Sequence, residues 1–582
     1  MDTSLLCQIS TEVQVSLLSF KTTAIPTPAP MSNNYETDMA PSSIIPEQDR
    51  QQEKVNDCAG SYASGTSMVD LGTKSLSGWK LTLVMIGLCS AVFCMALDNT
   101  IIATAIPRIT DEFQALDDLG WYGSAYLLTT CSFQLFFGKL YSFYSVKWVF
   151  LVAIGFFELG SLVCGAAPTS TALIIGRSLA GIGSAGIFSG AVLIIVLSVP
   201  MRQRPTHIGI LAGMYGVSSV AGPLMGGAFT DKLTWRWCFY INLPLGVVTV
   251  LFVTFFFNPP QSGSPKNKSS WKEQLSNFDL EGSACFLPAI ISLLLALQWG
   301  GSKYPWSNGR IIGLFVVFGV LILLFAAIQW WKQDKATVPP RILSNRTVWS
   351  CAAFAVCFGA SFFLLVYYIP IWFQSVKGAS AVRSGIMNLP MILGLVIMSV
   401  LAGGAVSALG YYTPLILVSA VLMSIGAGLL TTFRLSTSSP AWIGYQALYG
   451  IGAGLGMQLP LVAVQTALAE HDIPVGTAIL MLSQTLGGSV FVQVGQNIFT
   501  NQLAVELRGV AGVDPKTVLS IGATELRERV PAKILHSVLV AYSKALTNTW
   551  YVSVAMAVLA LIPAVFLPWK SVKGKDTGAA NA

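Results

Sequence analysis

Of the 582 residues 53% are hydrophobic and only 10% are charged, the net charge is +7 and the mean hydropathy is +0.65. An ordinary soluble domain carries about 25% charged residues, so side chains this apolar cannot all be buried in a water-soluble core. The charge balance gives nucleic acid binding no support. The ten cysteines mostly lie in apolar stretches without the paired spacing of a zinc site or a disulfide framework, so they read as packing residues and no metal is expected.

Residues 1–75 are rich in Ser, Thr, Pro and Asn with acidic residues in excess, the composition of a disordered tail. No short apolar stretch there is followed by a small-residue cleavage site, so the first span is expected to act as an uncleaved signal. Fourteen apolar stretches then follow: 81–105, 120–138, 147–166, 171–198, 207–229, 238–257, 281–298, 311–331, 349–373, 384–406, 412–432, 442–466, 475–495 and 549–567. Hydrocarbon about 30 Å thick takes roughly 20 apolar residues at helical rise. Lipid offers backbone amides no partner, so each span should be a helix. The alternating ten-residue segments of a barrel do not occur. The fold class is therefore an all-α polytopic membrane protein.

Basic residues in the short loops and flanks favour both termini in the cytosol. Lys74, Lys139, Lys147, Arg202, Arg204, Lys332, Lys335, Arg341, Arg346 and Lys570 fall on that side, and about half as many, among them Arg108, Lys232, Lys303, Lys377 and Arg434, on the other. The sequons at Asn267 and Asn345 lie in loops on the cytosolic side and should stay unmodified. The chain divides into a cytosolic tail 1–75, a six-helix half 76–257, a cytosolic linker with two additional helices 258–340, a second six-helix half 341–570, and a cytosolic tail 571–582. Within the second half, 496–548 reads as an extracellular loop. Its stretch Ile534–Leu546 has helical apolar spacing and fits either a helix lying on the membrane surface or one packed on protein.

The halves echo each other. Gly138-Lys-Leu-Tyr-Ser142 after the second span has a counterpart in Gly403-Gly-Ala-Val-Ser407 after the tenth, and Arg177-Ser-Leu-Ala-Gly181-Ile-Gly183 in the fourth has one in Gln446-Ala-Leu-Tyr-Gly450-Ile-Gly452 in the twelfth. The offsets are 265 and 269 residues, so two related six-helix units with two helices inserted between them explain both matches. Repeated halves around a shared site are the architecture of secondary transporters.

Ionisable residues inside spans are costly and mark function or a buried pair. Arg177 is one; a functional charge and a structural ion pair are both open readings. Asp98, near the end of the first span, and Glu158, mid-span in the third, are candidates for loading and releasing a proton, against a wetted helix end for Asp98. The polar side chains Gln134, Asn242, Gln374, Asn388, Gln458, Gln465 and Gln484 recur at membrane depth. Together with many aromatics they suit a cavity for a bulky, mostly apolar ligand, and each one separately also suits an interhelical hydrogen bond. Gly216, Gly222, Pro223, Gly226 and Gly227 in the fifth span are a close-packing and bending device.

At these residues the chain resembles the major facilitator superfamily, and within it the fourteen-span drug:proton antiporters of the fungal toxin and multidrug efflux branch. The resemblance covers most of residues 80–570. Leu97-Asp-Asn-Thr-Ile-Ile-Ala-Thr-Ala-Ile-Pro107 is similar to that subfamily's first-span signature, and Arg177 with Gly181 to the fourth-span motif whose Arg takes part in proton transfer. Gly222-Pro-Leu-Met-Gly-Gly227 is similar to the exporter motif of the fifth span, and Trp235-Arg-Trp-Cys-Phe-Tyr-Ile-Asn-Leu-Pro244 to the entry of the sixth. The loop after Gly138 and Lys139 departs from the pattern: Ser142 stands where Asp is usual, Ser145 where Gly is usual, and Lys147 alone remains of a basic pair.

The resemblance implies the major facilitator fold, two six-helix repeats plus two extra central helices, and a proton-driven exporter of secondary metabolites, toxins or drugs. It further implies a plasma-membrane protein, the vacuolar membrane being the alternative. A monomer is expected, with a small-molecule substrate, protons and lipid as partners and no cofactor. A same-fold importer such as a siderophore carrier is the rival. A polytopic enzyme finds little support in three histidines without an acid/base constellation, and an ATP-driven pump none, since no phosphate loop occurs.

Overall fold

The structure, a computed structural model, describes residues 78–114, 119–259, 279–301, 303–510, 527 and 530–572. The expected tail 1–75, most of the tail 571–582 and the sequon at Asn267 lie outside these residues. Among the described residues fourteen long helices carry the fold. The first half comprises α1 (Trp79–Phe113), α2 (Leu119–Phe143), α3 (Val146–Gly165), α4 (Ser170–Ser198), α5 (Arg204–Lys232) and α6 (Asn242–Phe256). Then come α7 (Leu280–Trp299) and α8 (Gly309–Lys332). The second half comprises α9 (Arg346–Ser375), α10 (Leu389–Leu409), α11 (Thr413–Leu430), α12 (Ser439–Gly456), α13 (Ile473–Arg508) and α14 (Ala532–Leu559).

Among the described residues thirteen helices are long and apolar enough to cross a membrane. The fourteenth, α2, has 25 residues, enough for about 37 Å at 1.5 Å per residue, but is more polar. Its hydroxyls are spent inside the protein. Thr130 donates to the carbonyls of Tyr126 and, on α4, Gly181, and the Gln134 amide donates to Ala185 on α4 at 2.9 Å.

The expected loop 496–548 requires correction. α13 runs on to Arg508 and α14 already begins at Ala532, so much of that segment is continuous with the two spans. Val538, Ala541, Tyr542, Ala545 and Leu546 are buried, and Tyr542 packs edge-on against Phe499 at 5.1 Å. Ile534–Leu546 is thus the first part of the last helix, packed on protein. Its helical spacing was legible, but its polar residues hid its continuity with the span: Ser543 accepts from Trp372 of α9 and Lys544 pairs with Glu506 of α13.

The packing pattern repeats. In the first half α1 packs on α5 and α6, α2 on α4, and α3 on α4 and α6; in the second, α9 packs on α13 and α14, α10 on α12, and α11 on α12 and α14. The halves meet along α5–α10 and α2–α13. These two seams are themselves repeat-related, and so are the glycines that close them. A methyl group on Gly138 would collide with Ala478 of α13, and one on Gly403 with the Pro205 carbonyl of α5. Beside Gly403, Ser407 shares a hydrogen bond with Thr206 at 3.1 Å. Both seams are therefore closed at this end, called here the Gly138 end.

The α7–α8 hairpin flanks the second seam, with α7 touching both α2 and α13. Asp279 caps α7 and ties the hairpin together: it accepts from the Gly282 N–H, the Gln329 amide and both the N–H and hydroxyl of Thr337. Burial works to raise the Asp279 pKa, but these bonds and Lys332 outweigh it and hold the carboxyl below its usual range. Outwards, α8 presents Ile312, Val316, Val320 and Leu323 with Trp330 and Trp331 at its end, the pattern of a lipid-facing helix anchored by interfacial aromatics.

Gly403→Val is expected to force the α5–α10 seam apart, because the atom it strikes is backbone and cannot rotate away. Overpacking of this kind costs about 1–3 kcal/mol, so the purified protein should melt several degrees lower, whereas Gly404→Val, with open space around its Cβ, should melt like the parent.

Candidate functional site

Arg177 lies on α4, a helix that is buried along most of its length. Its Nε donates to the Tyr122 carbonyl at 2.7 Å, its Nη1 forms an ion pair with Asp98 Oδ2 of α1, and its guanidinium stacks over the Tyr126 ring with 4.5 Å to the centroid. Both ionic side chains are shut off from solvent. Arg177 Nη2 is buried and has no hydrogen-bond partner. Asn242, at the start of α6, bridges onward from Asp98 Oδ1 at 3.4 Å to Ser161 Oγ on α3 at 3.1 Å. Glu158 sits one turn before Ser161 on the same face of α3, against Gly246, which lies one turn after Asn242 on α6. Its Oε2 is buried without a partner. The structure thus brings Asp98, Arg177 and Asn242 into contact and sets Glu158 one turn away, a polar chain crossing the first half through α4, α1, α6 and α3.

The second half repeats the frame of this site without its charge. Gln446, the counterpart of Arg177, donates to the Met387 carbonyl at 3.1 Å, and Met387 is the counterpart of Tyr122 at the same 265-residue offset that relates Gly138 to Gly403. Likewise a methyl on Gly181 would collide with the Tyr126 carbonyl and one on Gly450 with that of Met391. Where Asp98 stands in α1, the corresponding α9 carries no acidic residue. The helices corresponding to α1, α4 and α6 are instead joined by hydroxyls: Ser361 lies 2.8 Å from the Tyr449 hydroxyl and 2.7 Å from that of Ser553.

The other candidates disperse. Gln134 is taken up between α2 and α4 and Asn242 in the polar chain, so neither lines a cavity together with the rest. Gln374 donates to Ser384 Oγ at 3.0 Å, and Asn388 begins α10 with its Oδ1 unpartnered. Gln458 and Gln465 are buried in the second half with unpartnered amide atoms, and Gln484 borders a small cavity there. In α5, methyl groups on Gly222 and Gly226 would collide with Thr100 and Thr104 of α1, and one on Gly216 with Val396 of α10; Pro223 and Gly227 face Gly385 and Val382. Lys147 caps α6 by donating to the carbonyls of Thr254 at 2.6 Å and Phe257 at 2.8 Å, and Lys139 is buried beside the Phe143 ring.

A cluster at the opposite end accounts for the Trp-Arg-Trp stretch. Trp235 Nε1 donates to Glu112 at 2.7 Å, and Arg236 pairs with the same carboxylate at 2.9 Å, donates to the Ala167 carbonyl and stacks on Trp235. The Trp235 hydrogen bond, more than Arg236, holds the Glu112 carboxyl below its usual range. Glu112 was not singled out in the sequence, where it is one acidic residue near a span end.

The sequence model of the Major Facilitator Superfamily matches residues 88–492. The chain belongs to that superfamily. It is 58% identical over 505 residues to the MFS-type transporter astH of Aspergillus oryzae, covering 87% of this chain and 89% of that protein. It is also 58% identical to the MFS-type efflux pump MFS1 of Arthroderma benhamiae (87% and 95% covered) and 50% identical to the efflux pump aflT of Aspergillus parasiticus (86% and 97% covered). Among solved structures, the proton:xylose symporter XylE matches with a TM-score of 0.55 at 14% identity over 86% of this chain and 98% of that one. The human organic anion transporter MFSD10 matches with 0.52 at 12% identity over 84% and 100%. At such identities these likenesses show the fold. The protein is a multi-pass membrane transporter of a small molecule, a member of the superfamily with fungal efflux-pump relatives, and not an enzyme.

Asp98→Asn would leave Arg177 as an uncompensated buried cation, a loss of about 3–5 kcal/mol for pairs of this kind. The double variant Asp98→Asn/Arg177→Gln, which copies the neutral second half, is expected to recover most of the lost melting temperature. A double variant no more stable than the single one would show that the pair is not what holds α1 to α4.

Proposed function

We propose that this transporter exports a bulky, largely apolar small molecule in exchange for protons, as a monomer in the plasma membrane with both termini in the cytosol. The observation that carries the reading is the one fully buried acid–base pair among the described residues, in a fold whose frame is otherwise duplicated. The first half holds Asp98 against Arg177, while the second fills the same place with Gln446 and hydroxyls. One titratable device between two similar halves is what an ion-coupled rocking mechanism needs. The relatives named as efflux pumps support the direction; the absence of a phosphate loop leaves an ion gradient or facilitated diffusion, and the buried acid–base pair favours the gradient.

With Asp98 ionised, the pair holds α1 to α4 in the arrangement closed at the Gly138 end. A proton on Asp98 removes the ionic attraction and leaves Arg177 held by the Tyr122 carbonyl, the Asp98 backbone carbonyl and the Tyr126 face. The proton biases the two arrangements only to the extent that Asp98 binds it more tightly in one of them. Glu158, one turn along the polar chain with a free carboxylate oxygen, is the second proton carrier.

In inside-out vesicles, an acid interior is expected to drive accumulation of an apolar dye, and collapse of the pH gradient should abolish it. Accumulation in right-side-out vesicles instead would establish an importer. Glu158→Gln is expected to lower proton-driven accumulation at least tenfold while leaving dye binding intact.

Rocking itself can be tested at the α2–α13 seam, where Cys131 Sγ lies 3.7 Å from Ser489 Oγ. That spacing suits a disulfide in Ser489→Cys. Oxidation should stop transport and reductant should restore it, whereas full activity of the crosslinked protein would rule out separation of the halves along this seam.

A further inference from the structure

Asp98 is shut off from solvent, so in this arrangement a proton reaches it only through the groups around it. Two side chains bond its carboxylate, Arg177 and Asn242. A guanidinium stays charged in a protein and hands on no proton, and the amide donates without giving one up. The other titratable groups that face Asp98, besides Glu158, are the Tyr126 phenol on α2 and the thiols of Cys94 on α1, Cys164 on α3 and Cys238 just before α6; none of them bonds the carboxylate. Tyr126 spends its hydrogen on the Met95 carbonyl at 3.2 Å, and Cys164 donates to the Leu173 carbonyl.

Beyond Asn242 stands Ser161, whose Oγ accepts from the same amide nitrogen that holds Asp98. Accepting there leaves the Ser161 hydrogen to be donated elsewhere. Glu158 lies one turn back on the same face of α3 with Oε2 buried and unpartnered, and its carboxyl fills the space that a methyl group on Gly246 would take. The two residues that hold Asp98 each keep a buried polar atom without a partner as well, the donor Arg177 Nη2 and the acceptor Asn242 Oδ1. Buried donors and acceptors left over along one polar chain are where proteins place ordered water.

We propose that a water bound between Asp98 and Ser161 completes a proton relay from Glu158 to Asp98, with Asn242 as its positioning residue; the inference rests on the proton-exchange reading above. The two hydrogens of one amide nitrogen set Asp98 Oδ1 and Ser161 Oγ roughly 5–6 Å apart, the reach of two O–H···O bonds end to end. A water in that span accepts from Arg177 Nη2 and the Ser161 hydroxyl and donates to Asp98 Oδ1 and Asn242 Oδ1, which gives the leftover atoms their partners. A protonated Glu158 donates to the second lone pair of Ser161 Oγ. In the transfer the Glu158 O–H bond breaks as its proton joins Ser161 Oγ, the Ser161 hydrogen passes to the water, and a water hydrogen joins Asp98 Oδ1. One proton leaves Glu158 and one arrives at Asp98, with serine and water restored. The ion pair to Arg177 is thereby released, and the charge left on Glu158 sits one turn nearer the Gly138 end.

The test follows Asp98 itself in the full-length protein in lipid nanodiscs, by time-resolved infrared absorption of the protonated carboxyl after a photolytic pH jump from mildly alkaline to mildly acid. The Asp98 band is the one missing in Asp98→Asn/Arg177→Gln. Ser161→Ala is expected to slow its appearance at least about tenfold while leaving its final size unchanged, and Glu158→Gln should slow it as much. Asn242→Ala should slow it less than Ser161→Ala, because the hydroxyl remains but is no longer aimed. Ser161→Gly makes room for a second water in place of the hydroxyl and should load faster than Ser161→Ala. A merely structural serine would give the reverse order, since glycine weakens a helix more than alanine does. Ser424→Ala, whose hydroxyl bonds only its own helix, should load like the parent. If Ser161→Ala does not fold, Glu158→Gln carries the test alone. Loading at the parent rate in Ser161→Ala or Glu158→Gln, or a glycine variant slower than the alanine one, overturns the relay. Failure of the proton-exchange reading would show separately, as normal loading of Asp98 without pH-driven accumulation of dye in vesicles.

Discussion

Lipid tails are as apolar as leucine, so within a bilayer no hydrophobic drive pulls one helix onto another. The helices of this transporter hold together in large part by close backbone approach and by hydroxyl-to-carbonyl hydrogen bonds. Gly181 lets α4 lie against α2 while the Thr130 hydroxyl reaches the Gly181 carbonyl. Ser419 does the same for α11 and the Gly452 carbonyl of α12 at 2.6 Å. The seams between the halves follow the same rule at Gly138 and Gly403. Contacts of this kind have two discrete arrangements, packed or parted, and that bistability is what a rocking transporter requires.

Against this duplicated frame the Asp98–Arg177 pair stands out because it is not duplicated. A buried ion pair adds little to stability over an apolar or neutral substitute, and the second half shows that the same helices can be joined by Gln446 and by hydroxyls alone. Retaining a charge pair in one half therefore carries a cost that packing does not explain. Under the proton-exchange reading proposed above, titration would account for it, since only a group that changes charge couples the fold to a proton gradient. The polar chain through Asn242 and Ser161 toward Glu158 lies in the first half.

Several parts of this arrangement were legible in the sequence. The repeat was visible at Gly138 and Gly403 and at Arg177 and Gln446, because close-packing glycines sit where no side chain can replace them. Arg177 was conspicuous because a cation in an apolar run is rare. Tyr122 and Met387 were not, since both act through backbone carbonyls and a carbonyl leaves no trace in residue type; only the shared offset relates them. Ser161 was equally silent, one small polar residue among many. The stretch 496–548 misled because polar residues along a helix can pair with neighbouring helices, as Ser543 does with Trp372 and Lys544 with Glu506.

The amino-acid sequence by itself determined that the chain enters the bilayer as a series of helices, for it carries too few charges to fold in water and too many long apolar runs to do otherwise. It determined as well that the helices come in two related sets, since a repeat is a property of order along the chain. Only the tertiary structure decided which polar residues meet. Gln134 and Asn242 look alike in the sequence, yet one spends its amide on a neighbouring backbone and the other joins Asp98 to Ser161. Helix rotation and depth set that difference, and both are fixed by how neighbouring helices pack.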